Sequence, residues 1–370
     1  MIKRLGLGVL LCLLFVSKMN AQTRSGITTA TPFLLIIPDA RAGAMGDVGV
    51  ATSADANSLF HNPAKIAFGS RQIYIGLNYS PWLRNLTDDI FVGGASYINR
   101  YSENAAWGVD FKYFSLGQIN LTDSQGTDTG TINPNELAIA GTYSLKLAET
   151  FSMAVSLRYF RSNLSFNGAS GNDLQAINSF SVDVSGFYQS FEENYGTFNG
   201  KYRLGFNISN IGPKVSYVPG KDDFIPTNLK LGGGFDFILD DYNTINTTVE
   251  FTKLLVPSPS GDQDQSFISG MFSSFGDANG GFSEEMKEIT YALGAEYLYN
   301  NAFALRGGYF HESEDKGNRQ YFTIGAGFKT NALNIDLSYL VNSSDVNNPL
   351  ENSLRFSLSF DLGEVYEEFF

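Results

Sequence analysis

From Arg71 to Leu362 the chain is a succession of segments, each about ten residues long, in which apolar side chains alternate with small, polar or charged ones. Ile73, Ile75, Leu77 and Tyr79 alternate with Tyr74, Gly76, Asn78 and Ser80. Trp107, Val109, Phe111 and Tyr113 flank Gly108, Asp110 and Lys112, and Met153, Val155, Leu157 and Tyr159 flank Ala154, Ser156 and Arg158. Leu333, Ile335, Leu337 and Tyr339 form a late apolar row, and Leu354, Phe356, Leu358, Phe360 and Leu362 form the last. A repeat of two is that of an extended strand whose two faces meet different surroundings. The pattern predicts strands near 71–80, 90–101, 105–114, 135–146, 151–161, 177–190, 201–208, 228–238, 243–252, 288–299, 302–310, 320–329, 332–340 and 353–362.

That is an even number of strands, and the connections alternate in length. Those after odd-numbered strands are generally long, such as 115–134, 162–176, 209–227 and 253–287; most after even-numbered strands are a few residues, with Asn300-Asn301 and Thr330-Asn331 the shortest. Long loops at one rim and tight turns at the other are the habit of bacterial outer-membrane barrels. The expected fold is therefore all-β: a transmembrane antiparallel barrel of about fourteen strands. On this assignment both chain ends fall in the periplasm.

Charge supplies an independent check, because an ionised group facing lipid at mid-bilayer costs roughly 2–4 kcal/mol, whereas one in the lumen is hydrated or paired. Asp110, Lys112, Arg158, Asp183, Arg203, Lys230, Asp236, Glu250, Glu296, Arg306, Lys329, Asp336, Arg355 and Asp361 all fall on the parity opposite to the apolar rows. Acids and bases are equal in number. Two states fit them: pairing across a filled lumen, or hydration in lumen water.

Residues 22–70 do not alternate. They hold the small-residue stretch from Pro38 through Asp39, Arg41, Gly43 and Gly46 to Asp47, and farther on His61-Asn62-Pro63-Ala64. Glycine lets backbone approach a wall closely, and Asn-Pro makes a rigid turn with one donor fewer to satisfy. We expect this segment to plug the barrel, with Asp39, Arg41, Gly43, Gly46, Asp47, Asn62 and Pro63 as its key residues.

The first residues read as an export signal. Lys3-Arg4 precede an apolar run from Leu5 to Val16, too short to span a bilayer, and Ala21 offers a cleavage point. The expected layout is a leader over 1–21, a plug over 22–70, a barrel over 71–362 and a short periplasmic tail over 363–370. The one cysteine, Cys12, lies in the leader, so the exported chain would lack disulfides, thiol nucleophiles and cysteine metal sites. The leader holds three basic residues and no acid, so its loss takes the formal charge from −13 to −16. So acidic a chain is a poor partner for nucleic acid.

Several stretches resemble one family of outer-membrane proteins: Thr31-Pro32-Phe33-Leu34-Leu35-Ile36-Ile37-Pro38-Asp39-Ala40-Arg41-Ala42-Gly43, Gly46-Asp47-Val48-Gly49-Val50-Ala51, Asn62-Pro63-Ala64, Tyr79-Ser80-Pro81-Trp82-Leu83 and Lys112-Tyr113-Phe114-Ser115-Leu116-Gly117. They look like the PorV (LptO) family of the type IX secretion system of Bacteroidetes, within the wider FadL-like barrel group. The resemblance implies a plugged fourteen-stranded barrel that acts without catalysis and without a cofactor. It implies association with a large SprA/Sov-like translocon channel, capture of cargo by the cargo's C-terminal domain, and delivery to a PorU-type sortase complex at the cell surface.

The loop 253–287 is the longest, and Phe267, Ile268, Met271, Phe272 and Phe275 recur in it near a helical spacing. It reads either as a docking element for translocon or cargo, or as a lid over the barrel's own mouth. Trp82 and Leu83, just past the first strand, suit a docking patch or an interfacial aromatic girdle in contact with outer-membrane lipid. The acidic pairs Asp88-Asp89, Asp222-Asp223 and Glu284-Glu285 lack calcium-loop spacing and read as solvated. His61 and His311 are the only histidines and sit in no zinc or nucleophile pattern, so no catalytic or metal residue is assigned. The runner-up function is a FadL-like transporter of long-chain fatty acids or other hydrophobic small molecules; a lipid deacylase is a distant third.

Overall fold

In the computed structural model, which describes residues 26–82, 89–123, 125–165, 174–343 and 353–366, the chain is a closed antiparallel barrel of 14 strands. In chain order they are β1 (Arg71–Pro81), β2 (Ile90–Arg100), β3 (Ala105–Leu116), β4 (Asn135–Ala148), β5 (Phe151–Asn163), β6 (Ile177–Gln189), β7 (Asn199–Ile211), β8 (Asn228–Ile238), β9 (Asn243–Leu254), β10 (Ile289–Tyr299), β11 (Phe303–His311), β12 (Gln320–Lys329), β13 (Leu333–Asn342) and β14 (Leu354–Val365). Each pairs with its neighbours in sequence, and β1 closes on β14 from Tyr79↔Phe356 to Arg71↔Val365. Closure leaves no sheet edge unpaired within lipid.

Burial follows the parity of the sequence. Leu77, Val155, Leu157, Leu204, Leu293, Leu305 and Ile324 stand on the exposed outer face, while Asn78, Asp110, Ser156, Arg203, Glu296 and Arg355 are buried. A protein built for water would show the inverse, so the exterior is a surface for lipid.

Two hairpins missed by the periodicity, Ile119–Thr122 with Asp128–Ile132 and Val215–Val218 with Lys221–Asp223, extend long loops. Their strands are too short to show alternation. The loop after β9 carries two helices, α2 (Phe267–Ser273) and α3 (Phe282–Lys287), the first capped by Ser266 Oγ accepting from Ser269 N. The last strand runs to Val365, so residues 363–365 belong to the barrel and not to a tail.

The segment before β1 fills the lumen. It contains three 3₁₀ turns (Pro32–Leu35, Ser58–Phe60 and Pro63–Phe68) and a one-turn helix, α1 (Ala40–Gly43). It begins at the long-loop rim, where Ala30 N donates to Phe224 O at 2.8 Å, and leaves at the short-turn rim, where Arg100 donates to Gly69 O. The expectation that both ends lie at the short-turn rim is thus corrected: the plug is threaded through the barrel from the opposite side.

Candidate functional site: the plugged lumen and the outer loop

Asp39 caps the short plug helix by accepting from Ala42 N at 2.8 Å, and its other oxygen is paired with His61 Nε2. The helix aims Arg41 at the wall. Its guanidinium takes Glu296 of β10 through Nε (3.1 Å) and Nη2 (2.9 Å), and holds Asp55 of the plug at 2.8 Å. Glu296 also accepts from Arg306 of β11 at 2.6 Å and from Asn246 of β9 at 3.0 Å, and Arg306 reaches Asp336 of β13 at 2.6 Å. One plug cation is therefore wired to a chain of charges crossing four strands. Bidentate guanidinium to carboxylate pairing of this kind fixes position as well as charge.

Asp47 makes a second tether, to Arg355 of β14 and to the Tyr321 hydroxyl at 2.7 Å. Glu250 of β9 makes a third. It accepts from the backbone N–H of Gly49 (2.7 Å) and Val50 (2.8 Å) while paired with Lys230 of β8 at 2.8 Å. Arg203 of β7, paired with Asp236, donates to Ala51 O at 2.9 Å. Asn62 caps the turn begun by Pro63, accepting from Ala64 N at 3.1 Å, and its amide donates to Val50 O (2.8 Å) and Gly186 O (3.0 Å). The irregular plug backbone thus finds its hydrogen-bond partners on the wall, as non-helical backbone at membrane depth requires.

The wall is also shaped for the plug. A Cβ at Gly308 of β11 would stand 2.1 Å from the Met45 carbonyl carbon, and one at Gly205 of β7 would stand 2.2 Å from Val50 O. Within the plug, Gly43 abuts Arg355 and Ser338, and Gly46 combines a φ of +71° with the Tyr309 backbone 2.7 Å from where its Cβ would lie.

Toward the long-loop rim the lumen is closed by Phe33 and Leu34 of the plug packed with Val92, Phe114, Phe160, Ile177, Val215 and Ile225. Beneath this layer, Asp110, Lys112, Arg158 and Asp183 line a cavity of about 40 Å³. Arg158 pairs with Asp183 at 2.6 Å, and Lys112 donates to Leu34 O at 3.1 Å. Nearly all the lumen charges named from the sequence meet a partner or the plug, so the picture of charges merely bathed in lumen water does not hold. Lys329, half-exposed beside Asp361, comes nearest to it.

Trp82 packs on Phe114 with ring centroids 6.2 Å apart, against that inner apolar layer. It turns inward at the rim, which removes it from the lipid girdle; Leu83 and Asp88 lie outside the described residues. The Glu284-Glu285 pair is not solvated either. Lys316 bridges Glu284 (2.9 Å) and Glu288 (3.1 Å), and Lys253 bridges Glu285 (3.0 Å) and Glu288 (2.8 Å). The hydrogen bond from Lys316, helped by Gly280 N, holds the Glu284 carboxyl below its usual range. For Glu285, burial pushes up but the donors Ala278 N and Lys253 outweigh it, and the group is lowered.

This polar underside leaves an apolar upper face. Ile268, Phe272 and Phe275 are exposed, whereas Phe267 and Met271 are half-buried, so helix α2 and the turn after it split the five residues named from the sequence into an outward and an inward set. Helix α3 adds Phe282 (81% exposed) and Met286, for which the sequence gives little signal, since a helix of six residues here offers a single apolar i, i+4 pair.

A lipid-facing cylinder of fourteen strands, stoppered by its own N-terminal segment, defines the class: a FadL-like outer-membrane barrel. Solved structures agree on the fold. The chain matches the Ralstonia pickettii toluene transporter TbuX with a TM-score of 0.50 at 12% identity, covering 91% of this chain and 98% of that one. It matches the CymD monoaromatic hydrocarbon channel with a TM-score of 0.50 at 14% identity, covering 88% and 97%. Curated protein sequences gave no match. The family model described as type IX secretion system protein PorV matches residues 19–261. The chain belongs to the PorV family and is an outer-membrane component of type IX protein secretion.

Proposed function

We propose that this barrel is a non-enzymatic cargo carrier. It binds the C-terminal domain of secreted cargo at the SprA/Sov-like translocon channel and hands it to the PorU-type sortase complex, working through its outer surface. One observation supports this most. The lumen is tied shut by the Arg41–Glu296, Asp47–Arg355 and Glu250 tethers, while the loop after β9 holds five large apolar side chains clear of the protein. Exposed apolar clusters on a fixed scaffold mark contact sites for other proteins.

A transporter of hydrophobic molecules would need a plug that moves and an apolar route behind it. Here the lumen behind the plug is lined by ion pairs.

The test is deletion of residues 262–280 in an otherwise intact barrel, followed by recovery of the translocon channel and cargo from solubilised outer membrane. We expect recovery to fall sharply, with cargo retained in the periplasm. Undiminished recovery and normal release would contradict the reading.

A further inference from the structure

The lipid-facing side of the barrel is scooped, across β8 to β11, into a furrow of about 720 Å³. Its floor is made of small residues on the outward parity. Thr247 of β9 pairs with Ala295 of β10, Ala295 pairs with Gly307 of β11, and Gly233 carries the floor onto β8. Large side chains bank it on both sides: Val249, Leu293 and Tyr309 form the adjoining row toward the long-loop rim, and Ile245, Tyr297 and Leu305 the row toward the short-turn rim. Other small residues on the outer face lack such company. Ala95 lies between Leu77 and Phe111, and Gly141 between Val109 and Leu157, so each makes a pit no wider than one strand.

The furrow sits about midway along its strands, in the band that faces hydrocarbon, which limits an occupant to an acyl chain or a segment of another membrane protein. Its dimensions separate the two. From Gly233 to Gly307 is three strand spacings, about 14 Å, close to the depth of one leaflet of a hydrocarbon core about 30 Å thick. The banks stand four residues apart along each strand, about 13 Å between Cα atoms, and their side chains narrow that gap. A helix about 10–12 Å across would ride on the banks and leave the floor uncovered. Polarity points the same way. The Thr247 hydroxyl donates to Phe235 O at 3.3 Å, and the Tyr309 hydroxyl lies 3.4 Å from His311 Nδ1, so both are occupied within the barrel and dispersion contact is what the furrow offers.

We infer that this furrow seats one acyl chain of an outer-membrane lipid, laid across β8 to β11 on Gly233, Thr247, Ala295 and Gly307. The site is separate from the apolar loop, which stands beyond the rim. Behind its floor Gly294 and Gly308 abut Met45 of the plug, so a single layer of backbone divides the lipid chain from the stopper.

The experiment is native mass spectrometry of the full-length barrel, delipidated in detergent and titrated with dioleoylphosphatidylethanolamine. The parent should take up a first lipid at least about tenfold more tightly than a second, and the same headgroup on hexanoyl chains should lose that advantage. Gly233→Leu with Gly307→Leu should erase the tight step. A Cβ at Gly233 or Gly307 would meet nothing closer than 3.5 Å, so the filled variant should keep the parent's heat-modifiable gel shift, and Gly141→Leu should keep the tight step as well. Uniform uptake by the parent, an unchanged first step in the filled variant, its loss in Gly141→Leu, or equal binding of the short-chain lipid overturns the proposal. Independently, a photoreactive benzoylphenylalanine in place of Ala295 should capture lipid in cells; a discrete protein adduct there would assign the furrow to a protein partner and also overturn it.

Discussion

The plug and the loop after β9 are both irregular chain attached to the same cylinder, yet they are finished in opposite ways. The plug ties its polar groups largely to the wall and to one another, in part through side chains more than 200 residues away in sequence, and buries most of its apolar side chains. The loop is held beneath by Lys253 and Lys316 and leaves its greasy face outward. A segment whose partners are all internal is part of the scaffold; one whose apolar face lacks an internal partner is built for something else to cover.

The deepest cut into that contrast is Glu296→Leu. It leaves Arg41 with Asp55, and Arg306 with Asp336, as the one remaining carboxylate of each, in a site where Glu296 itself is 1% exposed, and breaking a buried pair costs about 3–5 kcal/mol. We expect a large fall in the midpoint of thermal unfolding in detergent, read by the heat-modifiable shift on gels. Gly308→Val should follow, at about 1–3 kcal/mol of overpacking, because the Met45 backbone occupies the space. The plug should become open to protease, and planar-bilayer conductance should rise. If either variant is indistinguishable from the parent, the plug is looser than its contacts require.

Phe272→Ser with Phe282→Ser should do the reverse, changing barrel stability by no more than about 0.5 kcal/mol while partner recovery drops. The smallest effect concerns the underside of the loop. The Glu284 and Glu285 carboxyls are lowered, so their contribution is complete above the unfolded glutamate range and is lost as pH falls through their depressed values. Burial opposes the charge of Lys316 but its hydrogen bonds to Glu284 and Glu288 raise it, so its share survives until alkaline pH. Limited proteolysis within 255–288 should therefore stay slow at neutral pH and quicken only once the pH has fallen below the ordinary glutamate range, with the barrel intact.

The cylinder was readable from sequence because lipid imposes a rule on every strand at once: charge on one parity, grease on the other. Strand limits follow from that rule to within a few residues, as β8 (228–238) and β12 (320–329) illustrate. Partners did not follow. Parity places Glu296 inside but says nothing of Arg41, 255 residues away, since the match is made by plug threading and strand register together. Trp82 stays open between docking patch and lipid girdle in the sequence because an aromatic at a rim suits both, and it is the inward contact with Phe114 that takes it out of the girdle. Glu284-Glu285 was misread because the lysines that neutralise it come from the end of β9 and from the loop after β11.

The central claim is that the plug stays put while the outer surface works. A short thiol crosslink between Ala40→Cys in the plug and Ser357→Cys in β14, whose backbone N and hydroxyl lie 2.8 Å apart in the parent protein, fixes the plug to the wall. Cells carrying the crosslinked barrel should release cargo at the parental rate. Release that stops on crosslinking and returns on reduction would show that the plug must move, and would contradict the account.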